Sequence, residues 1–351
     1  MKRKIKQLRR LALAVVLLLT AVLSGCAPTQ PMFERTVFAM DTAITLRLYT
    51  DEAQGSLLLD RCEHVLTSLD ATLSRTKSES DVARINAAAA GERVSVSPET
   101  VAVLTLAEQV RLASDGAFNV AVEPLGALWR TADGGDSIPT IEKINSALEI
   151  VQQTDLLAED TTVTKAVSQG SVDLGGIGKG YAMDCLLSQL SETGLQGALI
   201  TFGSNVAVLG QKPGGEPFRV AVRDPDGEGI VGTLQMQATM GVLSVSGHYE
   251  RTYTVGGEHY SHILDPRTGM PPANELQSVA VLCESGALAD ALSTALLVMG
   301  EQQGLALWRS GAFQFEAMFI REDGVTLTEG LRDCFEADSA VRVSYAARTE
   351  P

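Results

Sequence analysis

Apolar residues along this chain recur with two spacings, which divide it into alternating helices and strands. Residues 38–49 (FAMDTAITLRLY) alternate β-branched and apolar side chains, which predicts an opening strand. Leu57, Leu58, Cys62, Val65, Leu66 and Leu69 fall at helical spacing and predict an amphipathic helix over 55–73. Ser80 or Asp81 is placed to cap a short helix through Val82 and Ile85. That helix ends by Gly91, and a short strand precedes Pro98. Residues 99–114 predict a further amphipathic helix, and a Gly-Ala-Phe-Asn turn at 116–119 leads into an apolar strand before Pro124. Residues 132–140 read as a flexible loop, and Thr140 caps a helix over 140–153. Two strands joined by a turn are expected at 198–210, and another at 218–225. Beyond Gly300 the pattern gives a helix at 302–308, strands at 314–320 and 341–344, and a frayed end.

Two stretches interrupt this regular alternation. The first is Val172 to Asp184 (VDLGGIGKGYAMD), in which a strand ends at Gly175-Gly176, turns through Gly178 and Gly180, and opens a helix at Tyr181. Glycines let backbone N–H groups approach an anion, a helix N-terminus favours negative charge, and Lys179 adds a cation. The spacing fits neither a Walker A loop nor GxGxxG. A tight strand-to-helix connection with no ligand uses the same residues. The second stretch is 244–300, where strand and turn residues precede an apolar helix, SGALADALSTALLVMG. Asp290 and Thr294 are its polar intruders, four residues apart and so on one face. Buried oxygens need a partner, and a hard cation such as Mg2+ would supply one. A helix with Asp290 at a solvent edge and Thr294 bonded back one turn fits the same pattern.

The ends and the charge narrow the setting. Six of the first ten residues are Lys or Arg, an apolar run follows from Leu11 to Leu19, and Leu23-Ser24-Gly25-Cys26 comes next. This is the layout of a secretory signal peptide over residues 1–25, too short for a comfortable membrane span. The Leu-Ser-Gly-Cys sequence resembles a bacterial lipobox, which makes Cys26 the expected lipidated residue. Residues 26–32 then read as a tether, 33–345 as one α/β unit without an internal linker, and 346–351 as a tail. Losing the six basic residues takes the formal charge from −15 to −21, which argues against nucleic acid as a partner. Cys62, Cys185, Cys283 and Cys334 have no metal-ligand spacing, and their disulfide state is left open.

DALSTALLVMG, preceded by HYSHILDPRTGMP, resembles the ApbE family of flavin transferases. DLGGIGKGY differs from that family's motif only at Gly178. Met40-Asp41-Thr42 matches a Met-Gly-Thr element at Met40 but not at Asp41. Ala117-Phe118-Asn119 matches a Gly-Ala-Phe-Asp/Asn segment, and Thr76 stands where the family usually has an aromatic residue over the flavin. Ser204 replaces the second glycine of a turn in which Asn205 is kept.

The resemblance implies an ApbE-like α/β (α+β) fold, a single compact unit with two intertwined T-fold-like lobes. It implies transfer of FMN from FAD to a Thr or Ser hydroxyl of an exported acceptor protein such as a respiratory subunit, with AMP released. FAD is then the substrate and Mg2+ the cofactor. Asp290, Thr294 and the Gly176 carbonyl would hold the metal. Met40, Ala117, Phe118, Asn119, Asp173, Lys179 and His262 would bind FAD, and His262 and Asp290 would be catalytic. His262 would take the acceptor's proton, whereas His248 and His259 are expected to be exposed. Arg223 fits a phosphate contact or a surface pair and is left out of the site. Two other activities remain compatible with these residues: hydrolysis of FAD to FMN and AMP, and solute capture without chemistry. The leader and the lipobox-like Cys26 lead us to expect the protein on the extracytoplasmic side of the cell envelope, joined to a membrane through the lipid on Cys26.

Overall fold

The alternation at 38–49 belongs to a hairpin rather than to one strand. In the computed structural model, β1 (Met32–Ala39) pairs antiparallel with β2 (Thr42–Tyr49). Met40 and Asp41 form the two-residue loop with φ of 52° and 57°. Positive φ at both central residues is the backbone of a type I′ hairpin turn, and Asp tolerates it better than most side chains. The structure describes residues 31–225, 227–236 and 241–349, so the expected leader and Cys26 lie outside the described residues.

α1 (Glu52–Leu73) is capped by Asp51 and α2 (Asp81–Ala87) by Ser80. β3 (Val94–Ser95) leads to α3 (Pro98–Ala113), capped by Ser97. The strand expected before Pro124 is helical instead. Asn119 caps a 3-10 turn at Val120–Val122, which runs into α4 (Glu123–Ala132). Pro124 lies in the first turn of α4, where a missing N–H leaves no bond unmade. The following loop is tied down rather than free: Gly134 N donates to Thr254 O at 2.8 Å, and Thr254 N donates to Asp133 Oδ1 at 2.7 Å. After α5 (Ile141–Gln153), β4 (Leu156–Glu159) and β5 (Thr162–Lys165) pair with β3 in a small sheet.

The segment before the glycines is extended but is not a strand. The Asn86 amide bonds Val172 on both backbone sides, at 3.0 and 2.7 Å, and Asp173 N donates to Val120 O at 2.8 Å. These groups replace the missing strand ladder. α6 (Gly178–Ser191) starts three residues before Tyr181, so Lys179 belongs to its first turn.

β6 (Gly197–Phe202) and β7 (Asn205–Gly210) form the expected hairpin, followed by β8 (Phe218–Arg223) and β9 (Ile230–Met236). β10 (Val242–Gly247) precedes a two-stranded hairpin, β11 (Thr252–Val255) and β12 (Glu258–Ser261). β13 (Ser278–Cys283), α7 (Gly286–Met299) and α8 (Glu301–Ser310) come next, then β14 (Glu316–Arg321), β15 (Gly324–Thr328), β16 (Phe335–Ala337) and β17 (Val343–Ala346). The main sheet has nine strands in the order β1-β2-β6-β7-β10-β13-β14-β15-β17, all antiparallel except β15 with β17. Ile44, Ile200 and Val279 of this sheet share a core with Leu66 of α1, Leu186 of α6 and Leu292 of α7. Val208, Leu243, Leu282 and Met318 pack instead with Val220 and Leu234 of the sheet β16-β9-β8. A third cluster joins Leu125 and Trp129 of α4 to Val151 of α5 and to Leu264. The expected tail does not fray where its residues are described. Ala346 is buried in β17, and Arg309 Nε donates to Ala347 O at 3.0 Å. Cys62, Cys185, Cys283 and Cys334 are free thiols, and burial pushes Cys62 up to about 11.

α6 and α7 meet at their N-terminal ends, glycine against glycine. A Cβ on Gly286 would lie 2.5 Å from the Gly180 carbonyl oxygen, and one on Gly180 would collide with the Gly286 carbonyl. Each helix then caps the other. Gly180 N donates to Asp290 Oδ2 at 3.0 Å, while Gly286 N and Ala287 N donate to Asp184 at 2.5 and 2.9 Å. The same spacing, Gly then Asp four residues later, occurs in both helices (GYAMD and GALAD). Carboxylates satisfy orphan N–H groups and the positive end of each helix. Substituting Ala for Gly180 pushes the helices apart. It is expected to destabilise the fold by about 1–3 kcal/mol, read as a lower thermal midpoint by circular dichroism; an unchanged midpoint contradicts this crossing.

Candidate active site

The glycine stretch, the hairpin tip, Asp290 and Thr294 of α7 and the β11 hairpin surround one cavity of about 930 Å³. Met40, Ala117, Phe118, Asn119, Asp173, Gly176, Lys179, His262, Asp290 and Thr294 all line it. The sequence scatters these residues over 255 positions, and the crossing of α6 with α7 gathers the central ones. A volume of that size accommodates a large cofactor-sized ligand.

Asp290 is the polar centre. It is 3% exposed, and its carboxylate is fully engaged. Oδ2 accepts from Gly180 N, while Oδ1 accepts from Asn205 Nδ2 at 3.0 Å and Ser244 Oγ at 3.3 Å. Lys179 Nζ lies 3.5 Å from Oδ1 and donates to Gly175 O at 2.7 Å. Thr294 Oγ1 is 3.2 Å from Ser246 Oγ and bonds back to Asp290 O at 3.4 Å. The Gly176 backbone passes close over Thr294, since a Cβ there would sit 3.4 Å from Thr294 Oγ1 and 3.2 Å from the Phe118 ring. The solvent-edge alternative for Asp290 is therefore excluded, although Thr294 does make its back-bond.

This donor set is all oxygen: a carboxylate, the hydroxyls of Thr294, Ser244 and Ser246, and nearby peptide carbonyls. It suits a hard divalent cation such as Mg2+. Among the described residues no group of three His, Cys, Asp or Glu could hold a metal, and the candidate donors here are one carboxylate with hydroxyls and peptide carbonyls.

His262 is half-buried beside the cavity, with Nδ1 2.8 Å from the Arg251 carbonyl. That partner can only accept, so Nδ1 carries the proton and Nε2 keeps its lone pair. Burial lowers its pKa to about 4, aided by the charges of Arg251 and Lys179 and opposed by the Arg251 carbonyl. The imidazole is therefore neutral at physiological pH. His248, expected to be exposed, is half-buried, and burial lowers its pKa as well. His259 is exposed as expected.

The remaining expected residues take these positions. Met40 reaches across the hairpin tip towards Gly178, and Arg251 Nη2 donates to Asp41 O at 3.0 Å, pinning that tip. Asn119 spends its Oδ1 on Ala121 N at 2.9 Å. Asp173 accepts from Gly175 N at 2.7 Å and pairs with Arg75 Nε at 3.2 Å. Trp129 is a core residue, donating from Nε1 to Gly269 O at 2.9 Å. Arg223, left out of the expected site, lines the cavity with its guanidinium 5.8 Å from the Tyr249 ring.

A model of the ApbE family matches residues 40–319. The chain belongs to the ApbE family. A FAD:protein FMN transferase of Klebsiella pneumoniae (strain 342) is 32% identical over 292 residues, covering 81% of this chain and 87% of the relative. One of Vibrio cholerae serotype O1 (strain ATCC 39541) is 28% identical over 317 residues, covering 89% and 94%. Among solved structures, the apo flavinyl transferase ApbE of Pseudomonas stutzeri has a TM-score of 0.77 at 30% identity, over 89% of this chain and 99% of that one.

Within this ApbE-family cavity, charged residues that the sequence did not single out include Arg75, Glu123, Arg130 and Glu250. Glu123 was read as part of a strand, where its neighbours across the fold are invisible. Ser244 and Asn205, which hold Asp290, carried a signal only as small polar residues at strand ends.

The neutral state of His262 has a stability consequence. Its folded pKa, about 4, lies below its ordinary 6.5. The unfolded chain thus binds the extra proton between those values, and the histidine's contribution to stability, present above pH 6.5, is lost as pH falls towards 4. His262→Gln is expected to flatten the acid limb of the stability curve by up to about 1.4 kcal/mol per pH unit, measured by urea unfolding at pH 7 and pH 5. Parallel curves for the two proteins contradict the assignment.

Proposed function

We propose that this chain is a Mg2+-dependent FAD:protein FMN transferase acting on a Thr or Ser hydroxyl of an exported protein. The carrying observation is the oxygen cluster of Asp290, Thr294 and the Gly176 turn in one cavity with the Lys179 ammonium. Its curated relatives bear the name of this activity, which makes the chain a transferase.

In the reaction, the acceptor's hydroxyl oxygen bonds to the phosphorus on the FMN side of the diphosphate. The phosphorus–oxygen bond to AMP breaks, AMP leaves with the electron pair, and the hydroxyl proton passes to a base. Asp290, Thr294 and the Gly176 carbonyl would hold Mg2+, which would supply positive charge to offset that of the diphosphate. Phosphoryl transfer needs mainly alignment and charge neutralisation, and the rigid α6–α7 crossing supplies the alignment. Lys179, in the first turn of α6, adds a cation beside the N–H groups of that helix end, where an anion is favoured. Gly176 and Gly178 let the backbone close on the diphosphate. Met40, Ala117, Phe118, Asn119 and Asp173 form the walls that take the FAD. His262, neutral and with Nε2 available, orients the acceptor hydroxyl and accepts its proton.

The basic N-terminal residues, the apolar run and Cys26 support export and a lipid anchor, which would put this activity on the extracytoplasmic face of the envelope. Thr76, in place of an aromatic, favours a looser hold on the ring but does not touch the diphosphate site.

Incubating the protein with FAD, Mg2+ and an acceptor should leave fluorescent flavin on the denatured acceptor, with AMP released in equal amount. AMP without labelled acceptor points to hydrolysis, and no AMP with any divalent metal points to mere binding. Asp290→Ala, or chelation by EDTA, should cut turnover by about a thousandfold or more, the scale of losing a charge-stabilising group in phosphoryl transfer. His262→Ala should slow transfer by about 100-fold or more while FAD affinity holds. Selective loss of FAD binding instead reassigns that residue to the binding wall.

A further inference from the structure

On the cavity wall beside Asp173 stands a charged group that the proposed reaction leaves unused. Glu123, at the start of α4, is only 9% exposed. Its Oε1 takes two guanidinium groups: Arg130 Nη2 at 2.5 Å and Arg75 Nη1 at 3.3 Å. Arg75 Nε also reaches Asp173 Oδ2 at 3.2 Å. Glu123 Oε2 is buried and has no hydrogen-bond partner. Arg130 further bonds the Tyr253 hydroxyl, and the Tyr253 ring stacks on Trp129 with centroids 6.0 Å apart. All five residues apart from Trp129 line the cavity.

Burial pushes the Glu123 carboxyl above its usual range, and the two arginines oppose that shift. An unpartnered buried carboxylate oxygen costs free energy that some donor must recover. The guanidinium groups, about a third exposed, keep N–H groups that neither carboxylate uses. Two arginines and two carboxylates leave this wall with no net charge. It therefore offers a diphosphate little attraction, unlike the Lys179 end. It offers two donors flanking one acceptor, fixed by ion pairs on rigid elements.

Resting on the FAD reading, we propose that Arg75, Glu123 and Arg130 are the specificity-determining residues for the imide edge of the flavin ring. That edge presents two carbonyl oxygens flanking one N–H, the complement of donor, acceptor, donor. Adenine's amino group, flanked by N1 and N7, offers the same acceptor–donor–acceptor order without carbonyls, and competition by ADP separates the two rings. The terminal carboxylate torsion of Glu is soft, and turning it brings Oε2 to the ring N–H. This also accounts for how the chain orients the ring with Thr76 at the position where an aromatic would cover it. The contact is polar and edge-on, and it needs no stacking partner from that loop.

The test compares FAD with FAD methylated at the imide nitrogen, by stopped-flow quenching of flavin fluorescence ahead of turnover, with ADP as a competitor. The parent protein should bind FAD about tenfold or more tightly than the methylated form, because the methyl removes the donor and leaves Glu123 unpaired. Glu123→Ala should bind both flavins equally and weakly, and Arg130→Met, at a more exposed site, should weaken FAD by about tenfold. ADP affinity should be unchanged in both variants. Arg130→Met guards against a folding defect in Glu123→Ala, and thermal midpoints identify one. Equal binding of the two flavins by the parent protein overturns the inference while leaving the FAD reading intact. Loss of ADP rather than FAD affinity reassigns the wall to adenine and also overturns it. Failure of the parent to bind FAD at all sinks the reading on which the inference rests.

Discussion

The structure depends on two glycines that let two helix N-termini touch. With Gly180 against Gly286, each helix supplies the carboxylate that caps the other, Asp184 to α7 and Asp290 to α6. A single methyl group at either position would separate the backbones. The pairing solves a local problem, orphan N–H groups at two buried helix ends, and in doing so it fixes Asp290 under the glycine turn. Asp184 performs the structural half of this exchange away from the cavity. Asp290 performs the same half and faces the cavity as well.

This double duty explains why so many small polar side chains surround Asp290. Asn205, Ser244 and the Gly180 N–H hold its oxygens, and Ser246 and Ser293 bridge onward to Thr294. A carboxylate buried among apolar sheet and helix residues costs several kcal/mol unless its lone pairs are met. Gly180 N, Asn205 Nδ2 and Ser244 Oγ all donate to it, so its oxygens are met inside the fold. The nine-stranded sheet serves as the floor on which these donors, carried by β7 and β10, are held in register.

Much of the site was legible because its residues carry local signals. Asp290 and Thr294 stand out as polar residues on an apolar helix, and DLGGIGKGY stands out by its glycines. Where reading failed, tertiary contacts had overridden the local pattern. Alternation ran straight through the Met40-Asp41 turn because a two-residue loop preserves the period of two. The segment at 172–174 looked like a strand, but one Asn86 amide does the work of a neighbouring strand. The Glu123 region read as a strand because Pro124 at a helix start and Pro124 after a strand look alike in sequence. Glu123, Arg75 and Arg130 lie far apart along the chain, and nothing local announces that they meet. The matching GYAMD and GALAD spacings were present in the sequence, yet their meaning appears only when the two helices cross.

The central claim is that the acid and the alcohol on one turn of α7 hold a divalent ion against the dinucleotide's diphosphate. Crystals grown with FAD and Mn2+, measured at the manganese absorption edge, test it directly. The account predicts one anomalous peak at about 2.0–2.3 Å from an Asp290 oxygen and Thr294 Oγ1, between them and the diphosphate. A bound dinucleotide with no metal peak there, or with its peak on other residues, contradicts the account.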